Sequence, residues 1–172
     1  MTETGELSRM VRSDALPAKP VSIEASEAEM RALAGRFGLP AIHALEAEVT
    51  LEPDGEKVRA TGRLTARFDQ FCAVSGEPFA NGVDEALALV FVPARGGPVS
   101  PDEEIELEAE ELDEIEFEGQ SIDLGEAIAQ SLSLAIDPYA EGPDAQTARI
   151  EAGLADEAAS GPFAALAALK KD

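Results

Sequence analysis

Strict alternation marks the first half of the chain. Leu45, Ala47, Val49 and Leu51 alternate with Glu46, Glu48, Thr50 and Glu52. Beyond Pro53-Asp54-Gly55-Glu56, Val58, Ala60, Gly62, Leu64, Ala66 and Phe68 alternate with Lys57, Arg59, Thr61, Arg63, Thr65 and Arg67. Period two on both sides of an Asp-Gly turn predicts an antiparallel hairpin, with strands near 42–52 and 56–69. A two-residue turn at Asp54-Gly55 sets Glu52 opposite Lys57 and Glu46 opposite Arg63. Such pairs stabilise a hairpin by roughly 0.2–1 kcal/mol each. Phe71–Gly82 reads as a turn-rich link. Val83–Val92 is apolar on both faces, which predicts a third strand in a central position. Pro93–Pro101 reads as a loop, and two short acidic strands follow, near Glu104–Leu107 and Asp113–Phe117.

Helical spacing appears twice. Ser26-Glu27-Ala28-Glu29 is a capping box, and Met30, Leu33, Ala34 and Phe37 follow on one face until Gly38 and Pro40. Asp123-Leu124-Gly125-Glu126 is a second such box. Leu124, Ala127, Ile128, Leu132 and Ala135 form its stripe, and Asp137-Pro138 ends it. A short strand is expected within 8–16 and an extended run over 19–24. Helices separate from hairpin strands predict an α+β fold, with an antiparallel sheet and two helices packed on it. The expected organisation is a disordered N-terminus over 1–8, one domain over 9–138 and a weakly ordered tail over 139–172. In that tail Gln146–Ala155 is expected to be helical only transiently. Phe163, Leu166 and Leu169 precede Lys170 and Lys171, as in a short helix or docking peptide.

Composition changes this picture mainly through charge. The 172 residues carry a net charge of −22. Residues 1–67 hold 9 bases and 11 acids, whereas residues 68–148 hold 1 base and 20 acids. The densest run, Asp102–Glu118, has 11 carboxylates in 17 residues. A field of that sign repels phosphate backbones and attracts basic proteins. The candidate partner-binding residues are therefore Asp102, Glu103, Glu104, Glu106, Glu108, Glu110, Glu111, Asp113 and Glu114. The alternative is RNA contact through Lys57, Arg59, Arg63 and Arg67. Salt pairing within the hairpin is the simpler use of those bases. Solubility alone is the simpler use of the acids.

Catalytic chemistry finds little support. The chain has one His and one Cys, His43 and Cys72, and neither has a partner at catalytic spacing. Phosphate-loop and dinucleotide glycine patterns are absent, and Asp102–Glu118 lacks the spacing of a calcium loop. No cofactor, metal, small-molecule substrate or enzymatic activity is expected. No apolar run reaches the roughly 18 residues that a membrane span needs. A single cysteine and a polar N-terminus predict a cytoplasmic protein.

The order of motifs carries a resemblance. A long hairpin leads into Cys72-Ala73-Val74-Ser75-Gly76-Glu77-Pro78-Phe79, then an apolar strand and an acidic segment. Ser121-Ile122-Asp123-Leu124 opens a helix that ends in Leu132-Ser133-Leu134-Ala135-Ile136-Asp137-Pro138. Over roughly residues 45–138, with a weaker extension to Phe163–Lys170, this resembles the YceD family of large ribosomal RNA subunit accumulation proteins. Members typically show a Cys-x-x-Cys-Leu turn, and many carry a second Cys pair beyond the Pro. Here Ser75 stands for the second Cys, and Tyr139-Ala140-Glu141-Gly142 for the later pair. The resemblance implies a non-enzymatic bacterial factor for synthesis, processing or stability of large-subunit ribosomal RNA. With the charge map, it implies a basic ribosomal or RNA-processing protein as partner, with RNA met indirectly or weakly.

Overall fold

The alternating run of residues 45–68 becomes the centre of the fold. In the computed structural model, which describes residues 6–94 and 114–153, the elements follow one another as β1 (Met10–Arg12), β2 (Val21–Glu24), α1 (Glu27–Phe37), β3 (Ala41–Asp54), β4 (Lys57–Phe71), β5 (Pro78–Pro93), β6 (Glu114–Phe117), β7 (Ser121–Asp123), α2 (Leu124–Ala135) and α3 (Ala145–Glu151). A five-stranded sheet has the order β2-β3-β4-β5-β6, and β1 pairs with β7 in a second, two-stranded sheet. Three neighbouring pairs of the large sheet are antiparallel, as the hairpin pattern requires. The fourth, β5 with β6, is parallel, so the sheet is mixed at one edge. The architecture is α+β.

The hairpin forms two residues away from its expected register. Asp54 pairs with Lys57, and the turn is Gly55-Glu56. Gly55 has φ 65°, a left-handed value that glycine alone adopts without strain. Glu52 therefore faces Arg59, and Glu48 faces Arg63. A slip of two preserves the face of every side chain, so the apolar positions still share one side. Leu45, Val49, Leu64 and Phe68 are almost fully buried there.

β5 starts at Pro78, five residues earlier than the pattern indicates. Pro78 and Gly82 read as turn residues, but proline at the first residue of a strand forfeits no ladder bond. Among the described residues β5 has neighbours on both sides over only part of its length. Only Val90–Pro93 have β6 on the side away from β4. Of the two expected acidic strands, the second is β6, and Glu104–Leu107 lies outside the described residues.

Both expected helices cover the sheet. At α1 the capping box is complete: Glu29 N–H donates to the Ser26 hydroxyl, and Ser26 N–H donates to the Glu29 carboxylate at 2.8 Å. At α2 only half of the box forms. Asp123 accepts from Glu126 N–H at 3.2 Å, but the Glu126 side chain turns to Arg36 at 2.7 and 2.9 Å. Asp123 instead also receives the Ser8 hydroxyl at 2.7 Å and Arg9 N–H at 2.9 Å. This pins the N-terminal segment onto α2. Gly125 makes that approach possible, because a Cβ there would sit 2.7 Å from the Leu7 carbonyl oxygen. Leu7 is fully buried, and Glu6 accepts from Arg36 at 3.0 Å. The expected disorder over 1–8 thus gives way to packing at residues 6–8. Residues 145–151, within the stretch expected to be weakly ordered, form α3.

Candidate interaction surface

The solvent face of the sheet holds the four candidate RNA contacts in one column. Strand alternation places Lys57, Arg59, Arg63 and Arg67 there, and each except Arg67 meets a carboxylate. Arg59 binds Asp54 at 2.8 Å. Arg63 takes Asp84 with two bonds of 2.6 Å, which lowers the Asp84 pKa and raises that of Arg63. Lys57 pairs with Glu114. Arg67 is exposed and has no carboxylate partner among the described residues. Cross-strand partners share a face, so Glu24, Glu46, Glu48, Glu52, Asp54, Asp69, Asp84, Glu114 and Glu116 stand on this side too. Nine carboxylates against four bases make the face acidic as a whole.

The sequence indicated pairing inside the hairpin, but two of the three pairs leave it. Asp84 comes from β5 and Glu114 from β6. Nothing in the local pattern marks either as a partner, because each contact depends on strands joined through distant chain.

Of the nine candidate partner-binding acids, Asp102, Glu103, Glu104, Glu106, Glu108, Glu110, Glu111 and Asp113 lie outside the described residues. Glu114 opens β6, and only 15% of its side chain is exposed. The described residues on either side of 95–113 meet at one place. Ala94 N–H, just past β5, donates to the Phe117 carbonyl of β6 at 2.8 Å. The chain therefore leaves the described structure after Ala94 and re-enters it at Glu114 along the same edge of the sheet.

The turn after β4 is held at the opposite end of β5. Cys72 Sγ accepts from Val74 N–H and Ser75 N–H, each at 3.4 Å. The Ser75 hydroxyl, then the Ser75 amide, hold the Cys72 pKa down at about 7, with the Gly142 and Val74 amides assisting and burial opposing. Ala73 N–H donates to the Ala140 carbonyl at 3.1 Å, and Arg149 pairs with Glu141. The turn and residues 140–142, where the resemblance has its two Cys pairs, are thus in contact. The residues present do not fit a thiolate metal site. One thiol is available, its lone pairs already accept amides, and the facing segment has no sulfur. Among the described residues no group of three or more His, Cys, Asp or Glu side chains is placed to hold an ion. His43 Nε2 meets Asp69 at 3.0 Å on the exposed face, beside a bulge in β3.

The described residues thus form a mixed α+β sheet with an acidic open face and a Cys-x-x-Ser turn held against residues 140–142. The family model described as "Large ribosomal RNA subunit accumulation protein YceD" matches residues 60–170, well over half of the chain, and the chain belongs to that family. Membership assigns it to ribosome biogenesis and the accumulation of large-subunit ribosomal RNA. The match begins within β4, leaving out β3, and runs through the C-terminal segment to which the motifs extend only weakly. No curated protein and no solved structure matches the chain. No helix among the described residues is long and apolar enough to cross a membrane.

Proposed function

We propose that this chain is a non-enzymatic, cytoplasmic factor that supports large-subunit ribosomal RNA by engaging a basic ribosomal or RNA-processing protein through its acidic run, Asp102–Glu118. One observation carries the preference for a protein partner over RNA: Lys57, Arg59 and Arg63 each already meet a carboxylate on an acidic face. A phosphate backbone approaching them would have to displace Glu114, Asp54 and Asp84 and meet the remaining acids. Of these four bases, Arg67 alone has no carboxylate partner among the described residues. A basic protein gains from the same field, both in association rate and in selection against wrong partners.

The test is crosslinking from positions within 102–118 in nuclease-treated lysate, together with RNA binding by the purified protein. The reading expects a basic ribosomal or RNA-processing protein crosslinked after nuclease, and weak RNA affinity. Tight RNA binding with a steep salt slope, lost in Arg63→Gln and Arg67→Gln, would favour direct RNA contact instead.

A further inference from the structure

Among the described residues, the side of β5 away from β4 is an open edge over much of its length. From Pro78 to Leu89, β5 has a strand on one side only among the described residues. The direction of its free groups follows from alternation. Ala94 N–H points to β6, and alternate residues of a strand point the same way. Asp84, Ala86 and Ala88 therefore present N–H and C=O to the open edge, continuing the row that β6 uses from Val90 onward. Gly82 belongs to the same row, but its N–H is already taken by the Asn81 side chain at 2.8 Å.

The side chains along this edge select by charge. Glu85 pairs with Leu64 and so stands on the apolar face, between half-buried Val83 and buried Leu87. It is nevertheless exposed and has no partner among the described residues. An inward-pointing charge on an edge strand blocks indiscriminate pairing, because an ordinary apolar strand would bury it unpaired. Asp84 stands beside it on the opposite face. A strand carrying Lys or Arg satisfies Glu85, and an acidic or wholly apolar strand does not.

We propose that the Asp84–Ala88 edge of β5 is a strand-addition site for an extended basic segment of a protein partner. This rests on the reading above that the partner is a basic protein, and it adds the docking geometry. Main-chain bonds supply the binding, and Glu85 supplies the choice of a basic strand.

The test uses the full chain and two synthetic peptides, acetyl-Thr-Lys-Val-Lys-Val-Lys-Thr-amide and its counterpart with Glu in place of Lys. Amide hydrogen exchange is read residue by residue. In the free protein, Asp84, Ala86 and Ala88 exchange rapidly, and the Lys peptide slows them by about tenfold or more while the Glu peptide does not. Ala86→Pro removes an edge donor without touching the ladder to β4, and Glu85→Lys reverses the selection. Each weakens the Lys peptide by about tenfold or more. If Ala86→Pro does not fold, Glu85→Lys at its exposed position decides. Slow exchange of the three amides in the free protein would mean that the chain covers its own edge, and would overturn the proposal. So would Lys-peptide binding that leaves them unchanged. Either result leaves the crosslinking test of 102–118 standing, and failure of that test does not alter the exchange pattern, so the two readings fail separately.

Discussion

Lys57 of β4 reaches across the end of β5 to Glu114 of β6, joining two strands that share no ladder. The pair closes the sheet where the acidic run re-enters it. It also removes one of the bases that RNA contact would need. Its members differ in exposure, with 45% of the Lys57 side chain accessible and 15% of that of Glu114. Truncating Glu114 is thus the more damaging change. Glu114→Ala is expected to lower stability by about 1 kcal/mol. A double-mutant cycle with Lys57→Ala should give a coupling of at most about 1 kcal/mol, as for a half-exposed pair. Additive effects in denaturant unfolding would show that the contact contributes nothing.

Two glycines separate backbone need from tolerance. A Cβ on Gly62 would lie 2.0 Å from the Glu48 carbonyl oxygen, so β4 crosses β3 there closely enough to exclude any side chain. Gly62→Ala should cost about 3 kcal/mol or prevent folding. Gly35, inside α1, meets nothing within 4 Å. Gly35→Ala should stabilise by about 0.5–1 kcal/mol, because it removes freedom from the unfolded chain. Thermal unfolding of both variants checks the contrast.

The fold was legible where one face alternates cleanly. The hairpin, both caps and the stripe of α2 announce themselves, because period and capping are local. Register was legible only to within two residues, since a slip from Asp54-Gly55 to Gly55-Glu56 leaves every face unchanged. The start of β5 was hidden by Pro78 and Gly82. The burial of Leu7, the parallel pairing of β6 and the Arg63–Asp84 and Lys57–Glu114 pairs are long-range, and no local pattern encodes them. For the candidate site, the sequence named the bases but not the acids that neutralise them.

Glu29 links the α1 cap to the N-terminus. Arg9 binds it at 2.6 and 3.1 Å. That bond, helped by Ser26 N–H, lowers the Glu29 pKa from 4.5 to about 2. A depressed carboxylate stabilises the fold above its unfolded pKa, and this contribution is lost as pH falls through the folded value. Glu29→Gln should cost about 1–2 kcal/mol at neutral pH. The difference from the parent should shrink as pH falls from 4.5 towards about 2. A difference that stays constant across that window, measured by denaturant unfolding, would show that the ionised form is not what matters.

The Cys72 turn is expected to stand without metal. The purified protein should contain no stoichiometric zinc by elemental analysis, and chelator should leave its unfolding midpoint unchanged. Thiolate absorbance should titrate with a midpoint of about 7. Ser75→Ala should move that midpoint up towards the ordinary value of 9.0, since the hydroxyl is the leading cause of the depression. Zinc at one equivalent, lost together with the fold on chelation, would overturn this view of the turn.

The central claim is that the acidic run steers a basic protein partner, and association kinetics test it most directly. The variant Glu106→Gln, Glu108→Gln, Glu110→Gln, Glu111→Gln removes four like charges from a chain of net charge −22, so the fold should be retained or slightly stabilised. The measurement is stopped-flow association with the protein crosslinked through 102–118, at low salt and at physiological salt, where the Debye length is about 8 Å. The account predicts that the parent associates about tenfold faster than the variant at low salt, and that salt brings the two rates together. Equal rates for parent and variant at low salt would contradict it and leave the acids as a solubility device.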